Sequence, residues 1–221
     1  MQEPHLIYVA DPMCSWCWGF APVLQALTQR YAPTLALRLV LGGLRPWNRQ
    51  PMGDDERASL RRHWDHVHAA CGQPFNFSFF KREHFVYDSE PASRAVVVLR
   101  RHGMALALAG LHRIQQAFYT GNQDVTDTET LVALARELGL EAARFRHEFT
   151  SDEAREETRA DFALTQAAGV RGFPTLIAAA GSTYELITHG FQPADRIIAI
   201  LDSWQEQHHS LGPLDDGACA Q

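Results

Sequence analysis

Apolar and polar positions change their spacing several times along this chain, and each change marks an element. From Leu6 to Ala10 the apolar run has the length and composition of a buried strand, and from Trp18 to Tyr31 apolar residues recur at helical spacing through Phe20, Leu24, Leu27 and Tyr31. A second run, Leu35 to Leu41, contains a β-branched residue and stops at Gly42-Gly43. Strand, helix and strand in that order predict a parallel pair joined by a right-handed crossover. Pro22 falls inside the helix, where it removes a backbone donor. Because the apolar face continues beyond it, the helix is expected to bend and continue.

From about Asp54 to Ala168 the spacing is helical, with no convincing alternation. Asp54 to Ala70 predicts a polar helix, and Gln73 to Phe85 an aromatic-rich loop whose Phe75, Phe77, Phe79 and Phe80 should pack over something rather than face water. Ser89, with Pro91 just after it, predicts a helix start, and Gly103 its stop. Thr126 and Glu129 have capping-box spacing before Leu131, Leu134 and Leu138, with Gly139 at the end. Ser151 opens a further helix, Gly169 closes it, and Phe162 should face inward. Past Gly169 the period returns to that of strands. Thr175 to Ala180 and Thr183 to Thr188 are joined at Gly181-Ser182, a two-residue hairpin signal. Pro193 then begins a last helix with Ile197, Leu201 and Trp204 on one face, and the tail from His208 to Gln221 has no period and is expected to be loose.

Composition narrows the function classes. A length of 221 residues with 46% apolar content supplies a sizeable core without disulfide staples, and one domain with an insertion is the simplest fit. The net charge of −6 comes with no basic stripe, so nucleic acid is not an expected partner. No apolar run approaches the roughly 20 residues of a membrane helix, and no membrane partner is expected. The opening Met-Gln-Glu-Pro-His lacks the features of a secretory leader, which makes a cytoplasmic location the expectation. Four cysteines, at 14, 17, 71 and 219, do not form a secreted disulfide framework.

The chemistry concentrates at Cys14-Ser15-Trp16-Cys17, between the first strand and the first helix. A helix N-terminus favours a thiolate, which makes Cys14 the candidate nucleophile. Cys17, about one turn on, is placed to resolve a mixed disulfide formed by Cys14. Half a zinc site would present the same spacing. His63, His66, His68 and Cys71 contain i, i+3 pairs but do not share one face, so no metal is expected there. Trp16, Trp18 and Trp47 fit either an apolar substrate platform or the core.

Taken in order, Cys14-Ser15-Trp16-Cys17, Pro22, and Val170-Arg171-Gly172-Phe173-Pro174-Thr175 resemble the DsbA-like branch of the thioredoxin superfamily over nearly the whole chain. Asp11-Pro12-Met13 before the motif, Gly42-Gly43-Leu44-Arg45-Pro46, and Gly72-Gln73-Pro74-Phe75-Asn76-Phe77 are similar to bacterial predicted dithiol-disulfide isomerases, signal-less relatives of FrnE-like proteins. The resemblance implies an α/β fold in which a thioredoxin core, 1–50 and 169–207, is interrupted by a helical insertion at about 54–168, with a loose tail over 208–221. It implies a thiol-disulfide oxidoreductase or isomerase acting on protein disulfides or a small thiol such as glutathione, without a cofactor. Cys14 and Cys17 would be catalytic. Pro174 would be a cis-proline facing the dithiol, and Phe173, Trp16 and Trp18 would contact substrate. Three features depart from better-known members: the Ser-Trp dipeptide lacks a histidine, Tyr8 stands six residues before Cys14 where many relatives carry a buried acid, and Cys219 has no neighbouring cysteine. Two further readings are a glutathione-dependent transferase or isomerase of the kappa-class or hydroxychromene-carboxylate type, and a chaperone-like or metal-handling binding module. The intact cysteine pair argues against the first.

Overall fold

Strand β1 (His5–Ala10), helix α1 (Ser15–Tyr31) and strand β2 (Ala36–Leu41) form the expected parallel unit in the computed structural model, which describes residues 3–209. His5 lies opposite Ala36, and the register holds to Ala10 opposite Leu41. Strands β3 (Thr175–Ala180) and β4 (Thr183–His189) form the expected hairpin, and β3 runs antiparallel to β1. The sheet order is β2-β1-β3-β4, which makes β1 and β3 interior strands. Helix α8 (Ala194–His209) follows β4, its Ile197, Leu201 and Trp204 buried. Pro22 is accommodated within α1, which is continuous across it. The first residues of the expected tail, His208 and His209, belong to α8, and the rest of that tail, with Cys219, lies outside the described residues.

Between β2 and β3 come α2 (Asp54–Cys71), a 3-10 turn (Phe77–Lys81), α3 (Glu90–Arg101), α4 (Met104–Tyr119), α5 (Thr128–Glu137), α6 (Ala142–Thr150) and α7 (Asp152–Ala167). The aromatic segment does pack over something. Its rings surround Trp64 of α2, with Phe80 at 4.9 Å, Phe79 at 5.0 Å and Phe75 at 5.1 Å between centroids, and Phe118 and Tyr119 of α4 close the cluster.

The sequence signals misplace some helix starts. Asp127, not Thr126, caps α5, its carboxylate accepting from Thr130 N at 2.9 Å, while Glu129 pairs with Arg146. A carboxylate one residue nearer the first turn outcompetes the hydroxyl. Ser89 precedes α3 as expected but does not cap it, because its hydroxyl accepts from Arg45 N at 3.0 Å instead. Helix α4 has apolar residues on most of its surface at first and Gly103 as its N-cap, so it carries neither a polar cap nor a clean stripe.

Asp161 of α7 ties the helical block to the sheet. Its carboxylate accepts from Leu41 N at 2.9 Å and from two Arg100 nitrogens at 2.6 and 3.0 Å, so one side chain joins β2, α3 and α7. Replacing Asp161 by Ala leaves a backbone N–H and a half-buried guanidinium unpaired, and should lower unfolding free energy by about 2–3 kcal/mol. Urea denaturation checks this; a loss below about 0.5 kcal/mol, the level of an ordinary surface substitution, would contradict it.

Candidate functional site

The carboxyl end of β1 delivers the chain to the dithiol. Cys14 N donates to Asp11 O at 3.1 Å, closing a turn, and Cys14 itself is the extended N-cap residue of α1, with Trp18 N donating to its carbonyl at 3.1 Å. Cys14 thus stands where the helix's first backbone N–H groups lack intrahelical partners. It is 6% exposed, whereas Cys17 is wholly buried, and both are free thiols. Burial, and after it the neighbouring Cys14, pushes the Cys17 thiol up from its usual range.

The β3 side meets this turn from across the sheet. The peptide bond between Phe173 and Pro174 is cis, and the Cys14 thiol donates to Phe173 O at 3.6 Å. Gly190 N donates to Pro174 O at 2.7 Å and Thr175 Oγ1 to Gly172 O at 2.8 Å, which fix the loop. The Phe173 ring lies directly on Gly42, where an added Cβ would come within 2.1 Å of a ring carbon. The absence of a side chain after β2 is therefore what lets Phe173 approach Cys14.

Asp11 is the buried acid of the site. It is fully buried, and its carboxylate accepts from Met13 N at 2.8 Å and Leu44 N at 2.7 Å, joining the motif turn to the segment after β2. Burial outweighs these two hydrogen bonds and a further one from the Ser89 side chain, and raises its pKa to about 6. Tyr87, just before α3, donates its hydroxyl to Met13 O. Beside Cys14 opens a cleft of about 500 Å³, lined by Trp16, Phe173, Leu44, Tyr87, His63 and the Arg45–Glu56 ion pair among others.

A DSBA-like thioredoxin domain model matches residues 5–201. The chain belongs to the DSBA-like thioredoxin domain family. Among solved structures, this DSBA-like protein is similar to the "putative protein disulfide isomerase" of Nitrosomonas europaea, with 40% identity, a TM-score of 0.88, and coverage of 94% of this chain and 100% of that one. It is also similar to the cytosolic disulfide reductase DsbM of Pseudomonas aeruginosa, at 27% identity and a TM-score of 0.76 over 92% of this chain and 99% of that one. DsbM is also solved with GSH. The ClpXP adapter protein SpxH of Halalkalibacterium halodurans is 25% identical over 181 residues, 80% of this chain and 59% of the relative. This chain thus spans about three-fifths of the length of that curated relative.

Of the expected substrate contacts in this DSBA-like site, Trp16 lines the cleft, edge-on to His63 at 6.0 Å and His66 at 5.9 Å. Trp18 does not. It is 3% exposed, its indole N donates to Pro74 O at 3.0 Å, and its ring packs on His112 and Tyr119, so it joins α1 to the helical block. Two residues of helix rotate a side chain by about 200°, which is why Trp16 and Trp18 part to different faces of α1. Trp47 is half exposed on Phe162. Of the α2 group, His63 and His66 flank Trp16, His68 bonds Gln73 O and Cys71 donates to Val67 O; among the described residues no cluster of three or more metal-ligating side chains is present. Sequence reasoning missed Asp11, Tyr87 and His63 as parts of the site. An acid directly after an apolar run was a readable signal for Asp11, but nothing local marked the other two.

Because Asp11 holds its proton more tightly folded than unfolded, its ionisation opposes folding. The stability it contributes is complete below about pH 4 and falls as pH rises towards 6, by about 3 kcal/mol in total. Denaturation midpoints of wild type and Asp11→Asn between pH 4 and 7 should differ in slope in that sense; parallel curves would contradict it.

Proposed function

We propose that this protein is a thiol-disulfide oxidoreductase in which Cys14 attacks and Cys17 resolves. The observation that carries the reading is the Cys14 sulfur, set at the start of α1, 3.6 Å from the Phe173 carbonyl and beside an open cleft. Cys14 as thiolate attacks one sulfur of a substrate disulfide. A Cys14–substrate bond forms, the substrate disulfide breaks, and the departing sulfur leaves with the electron pair and takes up a proton. Cys17 then loses its proton and attacks Cys14, forming the Cys14–Cys17 disulfide and releasing the second substrate thiol. The substrate is reduced by two electrons and the protein oxidised by two; with an oxidised protein the same steps run in reverse.

Phe173 and Pro174 would hold the substrate beside Cys14, with Trp16 offering apolar contact from the cleft lining. A peptide-sized disulfide suits the cleft, whose volume falls in the ~300–1,000 Å³ range of small-molecule sites. The solved complex of DsbM with GSH supports glutathione as one such partner. DsbM is described as cytosolic, which supports a cytoplasmic location here. The strands come from 1–50 and 169–207, which supports a thioredoxin core with a helical insertion between them. An adapter role, favoured by the likeness to SpxH, is the second reading, and there the cysteines need not turn over.

Cys14→Ser should abolish exchange with glutathione disulfide or a reporter protein disulfide, and Cys17→Ser should accumulate a mixed disulfide at Cys14 visible as a mass increase. Exchange that persists in Cys14→Ser would overturn the assignment. Client binding that persists after loss of both cysteines, with no exchange in wild type, would favour the adapter reading.

A further inference from the structure

The exchange described above leaves one group beneath the dithiol without a task. Tyr8 is fully buried in β1, paired with Leu39 of β2 on one side and Leu176 of β3 on the other. Its ring is stacked on Phe20, with centroids 5.7 Å apart and planes within 20°. Phe20 is one turn past Cys17 in α1, so strand pairing and stacking together fix Tyr8 against the second turn of the helix.

Its hydroxyl is buried without a hydrogen bond of ordinary geometry, and the side chain it approaches for one is Cys17. The titratable groups that face it are Cys17 first and Cys14 second. Cys17 in turn is faced by Cys14 from its own helix, by Asp11 from the preceding turn and by Tyr8 from the sheet. The Asp11 backbone favours a negative charge on Cys17 while its carboxylate opposes one, and both carboxylate oxygens already accept backbone N–H groups. A buried hydroxyl without a partner is a net cost to folding, and a thiolate on Cys17 would supply that partner. Burial and the two sulfurs hold the Tyr8 phenol well above its usual range, so it stays a donor at any working pH.

We propose that the Tyr8 hydroxyl donates a hydrogen bond to the Cys17 sulfur as it becomes a thiolate, and thereby sets the rate and pH dependence of the resolving step. This rests on the thiol-disulfide reading. In that step Cys17 gives its proton to solvent and its sulfur attacks Cys14 Sγ. The Cys14–Cys17 bond forms as the bond from Cys14 to the substrate sulfur breaks, and that sulfur leaves with the electron pair and takes up a proton. Tyr8 keeps its own proton throughout, so it enters the rate and not the stoichiometry.

Stopped-flow reaction of the reduced protein with 5,5′-dithiobis(2-nitrobenzoate) separates the steps, because capture by Cys14 releases one chromophore and resolution by Cys17 a second. Tyr8→Phe preserves the ring packing. It should leave the first release unchanged, slow the second roughly tenfold or more, shift its pH midpoint upward, and leave the melting temperature equal or higher. A second phase with wild-type rate and midpoint would overturn the proposal, as would equal slowing of both phases with a lowered melting temperature. Should Tyr8→Phe fail to fold, 3-fluorotyrosine at position 8, a stronger donor, should move the midpoint of the second phase downward, and an unmoved midpoint overturns the proposal. Absence of any release from wild type would overturn the exchange reading itself, a result distinct from failure at Tyr8 alone.

Discussion

Strand β1 is hydrogen-bonded to β2 along one edge and to β3 along the other from His5 to Val9, so it cannot slip by a residue without breaking two ladders. Everything at the dithiol is measured from its end. The turn at Asp11 hands the chain to α1, the β2 side supplies Gly42 and Leu44, and the β3 side supplies Phe173. Three segments far apart in sequence converge on Cys14 because a central strand binds both neighbours. A site built on rigid strands holds its geometry more closely than one built on loops alone.

That convergence buries polar groups, and the structure satisfies most of them by reaching between elements. Asp11 bonds Met13 N and Leu44 N, Ser89 Oγ bonds Arg45 N, and Tyr87 bonds Met13 O. The segment after β2 is thereby fastened both to the motif turn and to the start of α3. The helical block between β2 and β3 acts on the site through these bonds as well as by walling the cleft. Burial leaves its mark on titration: the Asp11 carboxyl and the Cys17 thiol are both raised, since charge is disfavoured away from water. Burial thus holds Cys17 towards its thiol form.

Much of the fold was legible because its elements are local. The runs at Leu6–Ala10 and Leu35–Leu41, the hairpin at Gly181-Ser182 and the cysteine motif each lie within a few residues of their own signals. The helical block was less so. Helix α4 lacks a polar cap and a single apolar stripe, and at α5 the sequence offered Thr126 where Asp127 made the bond. At the site, Cys14 and Phe173 lie 159 positions apart, and only the resemblance of two remote motifs placed them together. Tyr87 and His63 reach the cleft through tertiary packing around Trp64, which no window of sequence displays. Trp18 misled for the converse reason. Adjacent to the motif in sequence, it is turned into the core by the two steps of helix that separate it from Trp16.

Cys14 and Cys17 acting as a reversible two-electron couple would be titrated between dithiol and disulfide in glutathione buffers, with the mass of alkylated thiols as readout. The pair should show one reversible midpoint within the span of thiol-disulfide oxidoreductases, from about −270 mV for thioredoxin to about −120 mV for a strong oxidant. The transition should vanish when either cysteine is replaced. A wild-type protein that shows no reversible transition between those potentials would rule the couple out.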